Sequence, residues 1–440
     1  MYNLAVKNGN IYYNSKFHKL NIYVNNGIIE KVTQEDLDAE EIIDASGKKV
    51  IPGIIDPHVH FALNIGKYTS ADDFYSGSIA AIYGGVTTII DFLDPVSKGS
   101  DVENAYKKRL KLAKKSLIDF SFHATAANPV NETEYITEEA IRLKIPSIKI
   151  FTAYSESNRR TYEKEIIDLL KLSNNNGTVI LVHAEDEDYI KKHDNFGYKD
   201  LAASHPVISE TSMIKKLAEL NKTNGGRIYN VHTTCGDSIK YMKQEHPDLL
   251  NNSFFIESCP HYFVLNDSNF RKANGNKYIL APPLRCEYQL KLLRNNIDNI
   301  FSIGTDHCPF MSAEKNEYLL KDIPFGIGGI EFSFSLMYNL FGQKIINKMT
   351  LNPAKLFGLF PKKGILAEES DADFFIFNEN KESEIIENHS RCDYNLYKGM
   401  KVNGFVETSV AGGVVVMKNN RIYLRKGQFI PREVSNAGDN

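Results

Sequence analysis

The stretch GIIDPHVHF, residues 53–61, joins an apolar strand to two histidines that stand two residues apart. Side chains two apart on a strand point to the same face, so His58 and His60 are directed toward one point in space. Neutral imidazole is the commonest metal ligand in proteins. The pair therefore suggests a metal site, and a hydrogen-bonded histidine pair in a loop is the alternative.

Seven further apolar runs follow, and longer amphipathic segments such as 103–117 and 163–176 alternate with them. Eight strands that alternate with helices over roughly 300 residues predict a parallel (β/α)8 barrel. An open doubly wound sheet is the alternative, but no strand is followed by the glycine-rich dinucleotide fingerprint. The predicted strands are GIIDPHVHF (53–61), VTTIIDF (86–92), IDFSFHATA (118–126), PSIKIFTAY (146–154), TVILVHAE (178–185), RIYNVHTT (227–234), SFFIESC (253–259) and IFSIGTD (300–306).

The two ends of the chain have a different sequence pattern, with short predicted strands and turn residues. Asn8-Gly9 and Asn26-Gly27 are typical of β-hairpin turns. We expect a small β-sandwich domain built from residues 1–51 and 360–440, with the barrel domain of residues 52–359 inserted between its two parts.

Composition restricts the function classes. The chain has 440 residues, 42% of them hydrophobic, and a net charge of −3, which offers no basic field for nucleic acid. Apolar runs of about 18 residues, which a membrane span requires, do not occur, and residues 1–16 lack the apolar core of a signal peptide. The five cysteines are scattered without a C-x-x-C pair. We therefore expect a protein of the reducing cytoplasm.

Polar side chains stand at the carboxyl ends of several predicted strands. These ends form one rim of a (β/α)8 barrel, where active sites are built. A single histidine there is usually structural, but several at one rim indicate a metal site. The candidates are His58 and His60 from the first strand, Lys149 and Tyr154 from the fourth, His183 from the fifth, His232 from the sixth and Asp306 from the eighth.

Lys149 is unusual because it lies inside the apolar run SIKIF, where a charged amine is costly. A buried salt bridge, or a side chain that reaches solvent, would resolve this. Burial and nearby cations also lower the pKa of an amine. A neutral amine can react with carbon dioxide to give an anionic carbamate, whose two oxygens can bridge two metal ions.

Nine motifs carry a family resemblance, in order along residues 52–359: PGIIDPHVHF, SADDFYSGSIAAIYGGVTTIIDF, SIKIFTAY, VHAED, VHTT, SCPHYF, APPLR, GTDHCPF and NPAKLFGL. Together they resemble the amidohydrolase superfamily and, within it, the dihydropyrimidinase/hydantoinase group. The resemblance implies two divalent metal ions, usually zinc, with manganese or cobalt as alternatives. It also implies a homotetramer. One ion would be held by His58, His60, Lys149 and Asp306, and the other by a carboxylated Lys149, His183 and His232.

The resemblance further implies a reaction. A hydroxide that bridges the two metal ions would attack a ring carbonyl of a cyclic ureide and leave an N-carbamoyl amino acid. Asp306 would take the proton and pass it to the leaving nitrogen. Tyr154 would donate a hydrogen bond to the developing oxyanion, although a rim aromatic with a packing role is the alternative.

Relatives within the superfamily differ in substrate. Dihydroorotases usually carry arginine two places after the second histidine, where this chain has Ala62, so a carboxylated ring is disfavoured. Allantoinases tend to have an acidic-Pro-Gly segment there, where this chain has ALNIGKY. A dihydropyrimidine or a 5-substituted hydantoin is therefore the expected substrate. An allantoinase- or dihydroorotase-like hydrolase, and a non-enzymatic scaffold on the same fold, remain the alternatives.

The resemblance also suggests substrate contacts. Main-chain groups near Ala281 and Phe325 would hold the imide of the ring, at positions where relatives often have serine and asparagine. Phe61, Leu63 and Phe325 could form an apolar wall for a bulky substituent.

Overall fold

The computed structural model describes residues 1–434, which form a parallel barrel and a second sheet made by the two chain ends. Five strands come first: β1 Tyr2–Tyr13, β2 Lys16–Asn25, β3 Ile28–Thr33, β4 Ala39–Asp44 and β5 Lys49–Pro52.

The eight barrel strands come next, and each pairs in parallel with its successor. A bridge between Val59 and His307 joins the first strand to the segment after the last, so the barrel is nearly closed. The predicted (β/α)8 barrel is thereby confirmed. Its strands are β6 Ile54–Val59, β7 Val86–Phe92, β8 Asp119–Thr125, β9 Ser147–Phe151, β10 Val179–His183, β11 Arg227–Asn230, β12 Phe254–Ser258 and β13 Ser302–Ile303.

Helices connect the barrel strands, and their apolar sides pack on the strands in one large core. None of the helices within residues 1–434 has the length and apolar character needed to cross a membrane. The helices are α1 Phe74–Tyr83, α2 Gly99–Ala113, α3 Thr133–Arg142, α4 Glu163–Asn176, α5 Leu201–Ser204, α6 Val207–Asn224, α7 Gly236–Glu245, α8 Pro260–Val264, α9 Glu287–Asn295, α10 Ser333–Phe341, α11 Ile346–Met349 and α12 Leu351–Leu356.

The chain then returns to the first sheet, which has nine strands in all and a separate apolar core. β5 joins the two parts of this sheet, because it pairs with β1 in parallel and with a C-terminal strand in antiparallel fashion. The predicted β-sandwich from both termini is confirmed, whereas the division at 51/52 and 359/360 stays a prediction. The last strands are β14 Phe374–Glu384, β15 Lys401–Ala411, β16 Val414–Lys418 and β17 Arg421–Ile422.

The predicted hairpin turn is wrong for one of the two Asn-Gly pairs. Asn26-Gly27 forms the predicted hairpin turn between β2 and β3, but Asn8-Gly9 lies inside β1 at a β-bulge. The first hairpin turns instead at Asn14-Ser15, where both residues have positive φ. Asn8 also has a positive φ of 63°, so the local signal was real. The strand continues through it because β2 pairs with β1 on both sides of the bulge.

A buried ion-pair cluster connects the barrel to the terminal sheet. The Lys363 ammonium lies 2.9 Å from a carboxylate oxygen of Asp119 in β8 and 3.0 Å from one of Asp371. Asp373 also pairs with it at 2.5 Å, and Arg425 contacts Asp119 at 2.7 Å. The three carboxylates are close enough to hold a metal ion, but Lys363 already forms an ion pair with each of them. This cluster is structural.

Candidate active site

The first and last barrel strands bring three predicted ligands together. His58 lies one residue before the end of β6, His60 follows that strand, and Asp306 follows β13. The Nε2 atoms of His58 and His60 lie 3.2 and 3.1 Å from Oδ1 of Asp306. Ligand atoms of all three residues lie within 4.8 Å of one another. Their convergence follows from the H-x-H spacing and from the parallel strands that end at the same rim.

The middle strands contribute the other predicted ligands. His183 ends β10 and His232 follows β11 by two residues. Nδ1 of His183 and Nε2 of His232 are 3.0 Å apart. Tetrahedral zinc with bonds of about 2.0–2.1 Å separates two nitrogen ligands by about 3.4 Å, so this pair fits one ion. The rings of His232 and His58 are 5.4 Å apart, which places the two ligand groups side by side.

Lys149 lies on β9 between the two groups. It is buried, and its Nζ lies 5.6 and 5.4 Å from the ring centres of Phe92 and Phe151. Within residues 1–434 it forms no ion pair. Burial lowers its pKa to about 8, although the charges of Asp306 and Glu257 oppose the shift. The amine is therefore far easier to deprotonate than an exposed lysine.

The electrostatics of the site suit metal ligands. Burial lowers the pKa of His183, and it lowers that of His232 even further, where His183 and Lys149 add to the effect. Both imidazoles are thus neutral at physiological pH, as metal binding requires. Burial alone would raise the pKa of Asp306, but His58 and the neighbouring imidazole of His60 hold it well below its usual range.

Two buried glutamates, which the sequence reading overlooked, orient the histidines. Glu257 of β12 accepts from Nδ1 of His58 at 2.9 Å and from the backbone N–H of His232 at 3.1 Å. Glu185 lies 3.0 Å from Nε2 of His183 and 3.0 Å from Nδ1 of His205. Carboxylates in this position fix the tautomer of a metal-binding histidine. Their signal was a glutamate within or next to an apolar strand, in FFIES and LVHAE.

Asp56, the first polar residue of the opening motif, has a structural role. Its carboxylate accepts from the backbone N–H of His58 at 3.2 Å, and from the N–H and hydroxyl of Thr305 at 3.1 and 2.6 Å. It therefore ties β6 to the end of β13. Burial raises its pKa to about 7. This contact fixes the seam of the barrel on which His58 and Asp306 face each other.

Tyr154 reaches the site from the loop after β9. Its hydroxyl lies 3.3 Å from Nε2 of His183. Burial raises its pKa well above the usual value, so the phenol keeps its proton. Its backbone is left-handed, with φ 72°, a conformation that a non-glycine residue adopts at some energetic cost. That turn carries the phenol over the rim.

All six proposed metal ligands line one cavity of about 310 Å³, together with Leu63, Tyr154, Ala281 and Phe325. This volume suits a small ligand. The other lining residues are Asn64, Ile65, Phe92, Leu93, Pro95, Thr125, Phe151, Arg159, Cys308 and Gly326.

Phe61 is wrongly placed in the predicted apolar wall, since it does not line this cavity. Its ring is buried against Phe74 and His307, with ring centres 5.6 and 5.7 Å away. It also packs over Gly77 of α1, where an added Cβ would meet the ring at 2.5 Å. Neighbouring side chains along an extended segment point in opposite directions. Because His60 faces the cavity, Phe61 is directed into the core.

The fold and the site define a class of protein. A model of the amidohydrolase family matches residues 49–416, and the chain belongs to that family. It is 32% identical to the D-hydantoinase of Geobacillus stearothermophilus, over 97% of this chain and 96% of that one. It is 28% identical to the D-phenylhydantoinase of Escherichia coli O81 (strain ED1a), over 97% of this chain and 99% of the relative.

Solved structures agree with these relatives. A crystal structure of D-hydantoinase has a TM-score of 0.91 and 31% identity, and covers 98% of this chain and 99% of its own. The dihydropyrimidinase from Brevibacillus agri NCHU1002 has a TM-score of 0.92 and 26% identity over the same shares. The chain is thus a member of the hydantoinase group of the amidohydrolase superfamily.

Proposed function

We propose that this protein hydrolyses the cyclic amide bond of a ureide ring, a dihydropyrimidine or a 5-substituted hydantoin, to an N-carbamoyl amino acid. One observation carries the proposal. Six residues of metal-binding type, from five strands, converge on a single cavity of about 310 Å³. The relatives named as hydantoinases and dihydropyrimidinases over nearly the whole chain support the same reaction.

The proposed centre holds two divalent ions, with zinc as the preferred metal. His58, His60 and Asp306 would hold one ion, His183 and His232 the other, and Lys149 would bridge them. The neutral imidazoles and the ionised carboxylate fit this role, because their ligand atoms lie close together in two groups. When bound, the ions polarise a carbonyl and activate a water molecule at neutral pH.

Lys149 would serve as a carbamate. Its neutral amine attacks carbon dioxide, a nitrogen–carbon bond forms, and a proton leaves, so that a cationic side chain becomes an anionic one with two oxygens. Burial favours this change, since it lowers the pKa of the amine to about 8. The product resolves the cost of a buried cation that no carboxylate of residues 1–434 pairs with.

Asp306 would move the proton. Its carboxylate faces the cavity between His58 and His60. The low pKa of Asp306 keeps it ionised and able to accept a proton from the attacking water. It would then give that proton to the ring nitrogen that leaves.

Tyr154 would donate a hydrogen bond to the carbonyl oxygen as negative charge develops there. The raised pKa of this phenol keeps the proton in place for donation. A packing role alone would not need the hydroxyl of Tyr154. That hydroxyl lies 3.3 Å from Nε2 of His183, a proposed metal ligand.

For the ring, main-chain groups near Ala281 and Phe325 would hold the imide, and Leu63 and the Phe325 side chain would contact the substituent. Ala62 leaves the ring itself without a neighbouring cation at the position where dihydroorotases usually have arginine. A carboxylate attached directly to the ring would therefore be poorly accommodated.

We also propose that the protein forms a homotetramer, the usual assembly of the hydantoinase group. Its proposed location is the cytoplasm. Light scattering of the purified protein at several concentrations tests the assembly. A mass near that of one chain, 49.8 kDa, would reject the tetramer.

The deciding experiment is a substrate panel. The metal-loaded protein is assayed with dihydrouracil, hydantoin, phenylhydantoin, allantoin and dihydroorotate, and ring opening is followed directly. We expect turnover of hydantoins or dihydrouracil. Best activity with allantoin or dihydroorotate would support the alternative hydrolases, and no activity of fully loaded protein would support the scaffold.

A further inference from the structure

Arg159 lies on the wall of the active-site cavity, in the loop that follows β9. Two of the residues that line this cavity, Lys149 and Arg159, have cationic side chains. Lys149 has a role in the proposed metal centre, and Arg159 has none. A guanidinium on the wall of a ligand cavity therefore needs an explanation of its own.

The loop backbone holds Arg159 in place on both sides. Its N–H donates to the carbonyl of Tyr154 at 3.1 Å. The next two residues are tied to the end of β9, because Arg160 forms a parallel bridge with Phe151 and the N–H of Thr161 donates to the carbonyl of Phe151 at 2.7 Å. The side chain of Arg159 thus starts from a constrained position beside the cavity.

The carboxylates near this loop are already paired with other cations. Glu187 lies 3.0 Å from Arg160 and 2.9 Å from Lys192. Glu156 lies 2.5 Å from the same lysine. Within residues 1–434, no carboxylate forms an ion pair with Arg159. Its charge is left available to a ligand in the cavity.

The surroundings of Arg159 strengthen an interaction with an anion. The residue is half-buried, and its Cζ lies 6.0 Å from the ring centre of Phe151. A partly desolvated guanidinium forms stronger charge-assisted hydrogen bonds than an exposed one, and its planar fork matches a carboxylate.

We propose that Arg159 binds a carboxylate on the ring substituent, so that the site selects cyclic ureides with an acidic side chain. This inference rests on the proposed function. The metal ligands His58 and Lys149 are buried at the floor of the cavity, where the reacting amide must lie. Arg159 is half-buried on a loop closer to solvent, so it would meet the far end of a substituent and not the ring.

The test uses two substrates of the same shape, the hydantoins of glutamate and of glutamine, which differ by one charge. For the metal-loaded wild-type protein we expect kcat/KM to be about tenfold higher for the glutamate hydantoin. In Arg159→Gln this ratio should fall to about one. Arg159→Lys should retain part of the preference, because it keeps the charge but loses the fork.

Arg160→Gln is the matched control. It removes the neighbouring arginine, breaks the ion pair with Glu187 and leaves the cavity wall unchanged, so the ratio should stay near its wild-type value. Equal kcat/KM values for the two hydantoins in the wild-type protein, or a preference that survives Arg159→Gln, would overturn the inference. Loss of the preference in Arg160→Gln would also overturn it, since loop order and not the Arg159 charge would then set the ratio.

A binding measurement covers variants that turn over too slowly. Calorimetry with N-carbamoyl-glutamate and N-carbamoyl-glutamine should show tighter binding of the glutamate product to the wild-type protein, by about tenfold, and equal binding to Arg159→Gln. Dihydroorotate should be a poor substrate, and a preference for it would overturn the assigned position of the charge. If metal-loaded protein opens no ureide at all, the proposed function fails. If it opens hydantoin without the charge preference, only this inference fails.

Discussion

Nε2 of His58 lies 3.2 Å from Oδ1 of Asp306, although 248 positions of the chain separate the two residues in the sequence. They face each other across the seam where β6 meets the segment after β13, and Asp56 holds that seam through Thr305. The barrel thereby joins a proposed metal ligand from its first strand to the proposed base from its last.

Replacement of Asp306 by asparagine should separate metal binding from catalysis. The amide still offers an oxygen to a metal ion but cannot accept the proton, so we expect kcat to fall by at least about a hundredfold with most of the metal retained. Elemental analysis and steady-state kinetics measure the two effects. Asp101→Asn, on the exposed start of α2, is the control, and near-normal turnover of Asp306→Asn would rule out its role as the base.

Lys149→Ala should lose metal as well as activity, because the carbamate would bridge both ions. We expect at least one ion per chain to be lost, and short-chain carboxylic acids to restore part of the activity by occupying the same space. Exposed Lys171→Ala should keep its full metal content. A structure with a bare ammonium at position 149 and both ions bound would refute the carbamate.

Tyr154→Phe tests the hydrogen bond to the developing oxyanion. The variant keeps the ring and loses the hydroxyl, so kcat should fall by about a hundredfold or more while the metal content is unchanged. Tyr135→Phe, at an exposed residue of α3, is the control and should leave kcat unchanged. A wild-type kcat for Tyr154→Phe would leave this residue with a packing role only.

Phe61 and Leu63 should behave differently, because one lies in the core and the other on the cavity wall. Phe61→Ala should lower the free energy of unfolding by about 3–5 kcal/mol. Leu63→Ala should leave stability nearly unchanged and shift KM for substituted hydantoins. Urea denaturation and kinetics on both variants decide the matter, and an altered substituent preference in a stable Phe61→Ala protein would contradict the observed packing.

Asp72 makes a contribution to the free energy of unfolding that depends on pH. Burial alone would raise its pKa, but the charge of His307 and hydrogen bonds from Ser390 and the Arg391 N–H hold it at about 2. A carboxyl with a lowered pKa stabilises the fold above its unfolded pKa of about 3.9, and this stabilisation is lost as the pH falls toward 2.

Asp72→Asn should therefore lower the free energy of unfolding by about 2 kcal/mol at neutral pH. The difference from the wild-type protein should shrink below about pH 4. Denaturation of equally metal-loaded samples at several pH values checks this, with exposed Asp248→Asn as the control. A difference that does not change with pH would mean that the carboxylate charge is not responsible.

Much of the candidate site could be predicted because its signal is local. His58, His183 and His232 each end or closely follow an apolar strand, and parallel strands place such ends at one rim. Asp306 carried the same signal. The barrel was predictable for a related reason, since alternation of buried strands and amphipathic helices is visible in the periodicity of the residues.

The carboxylates that orient the candidate ligands were not predictable in the same way. Glu257 and Glu185 are single glutamates beside apolar strands, and only the packed strands show that they orient His58 and His183. Phe61 was misassigned although the alternation that directs His60 into the cavity also directs its neighbour into the core.

The sequence by itself determined the family, the barrel and the candidate ligands, because hydrophobic periodicity and strand-end residues act over short distances along the chain. Only the tertiary structure decided which charges are paired. Arg159 and Arg160 are adjacent and chemically identical, yet Arg160 pairs with Glu187 whereas Arg159 faces the cavity without a carboxylate partner among residues 1–434. That distinction depends on a contact between separate loops, and Coulomb interactions depend on distance in space and not on separation along the chain.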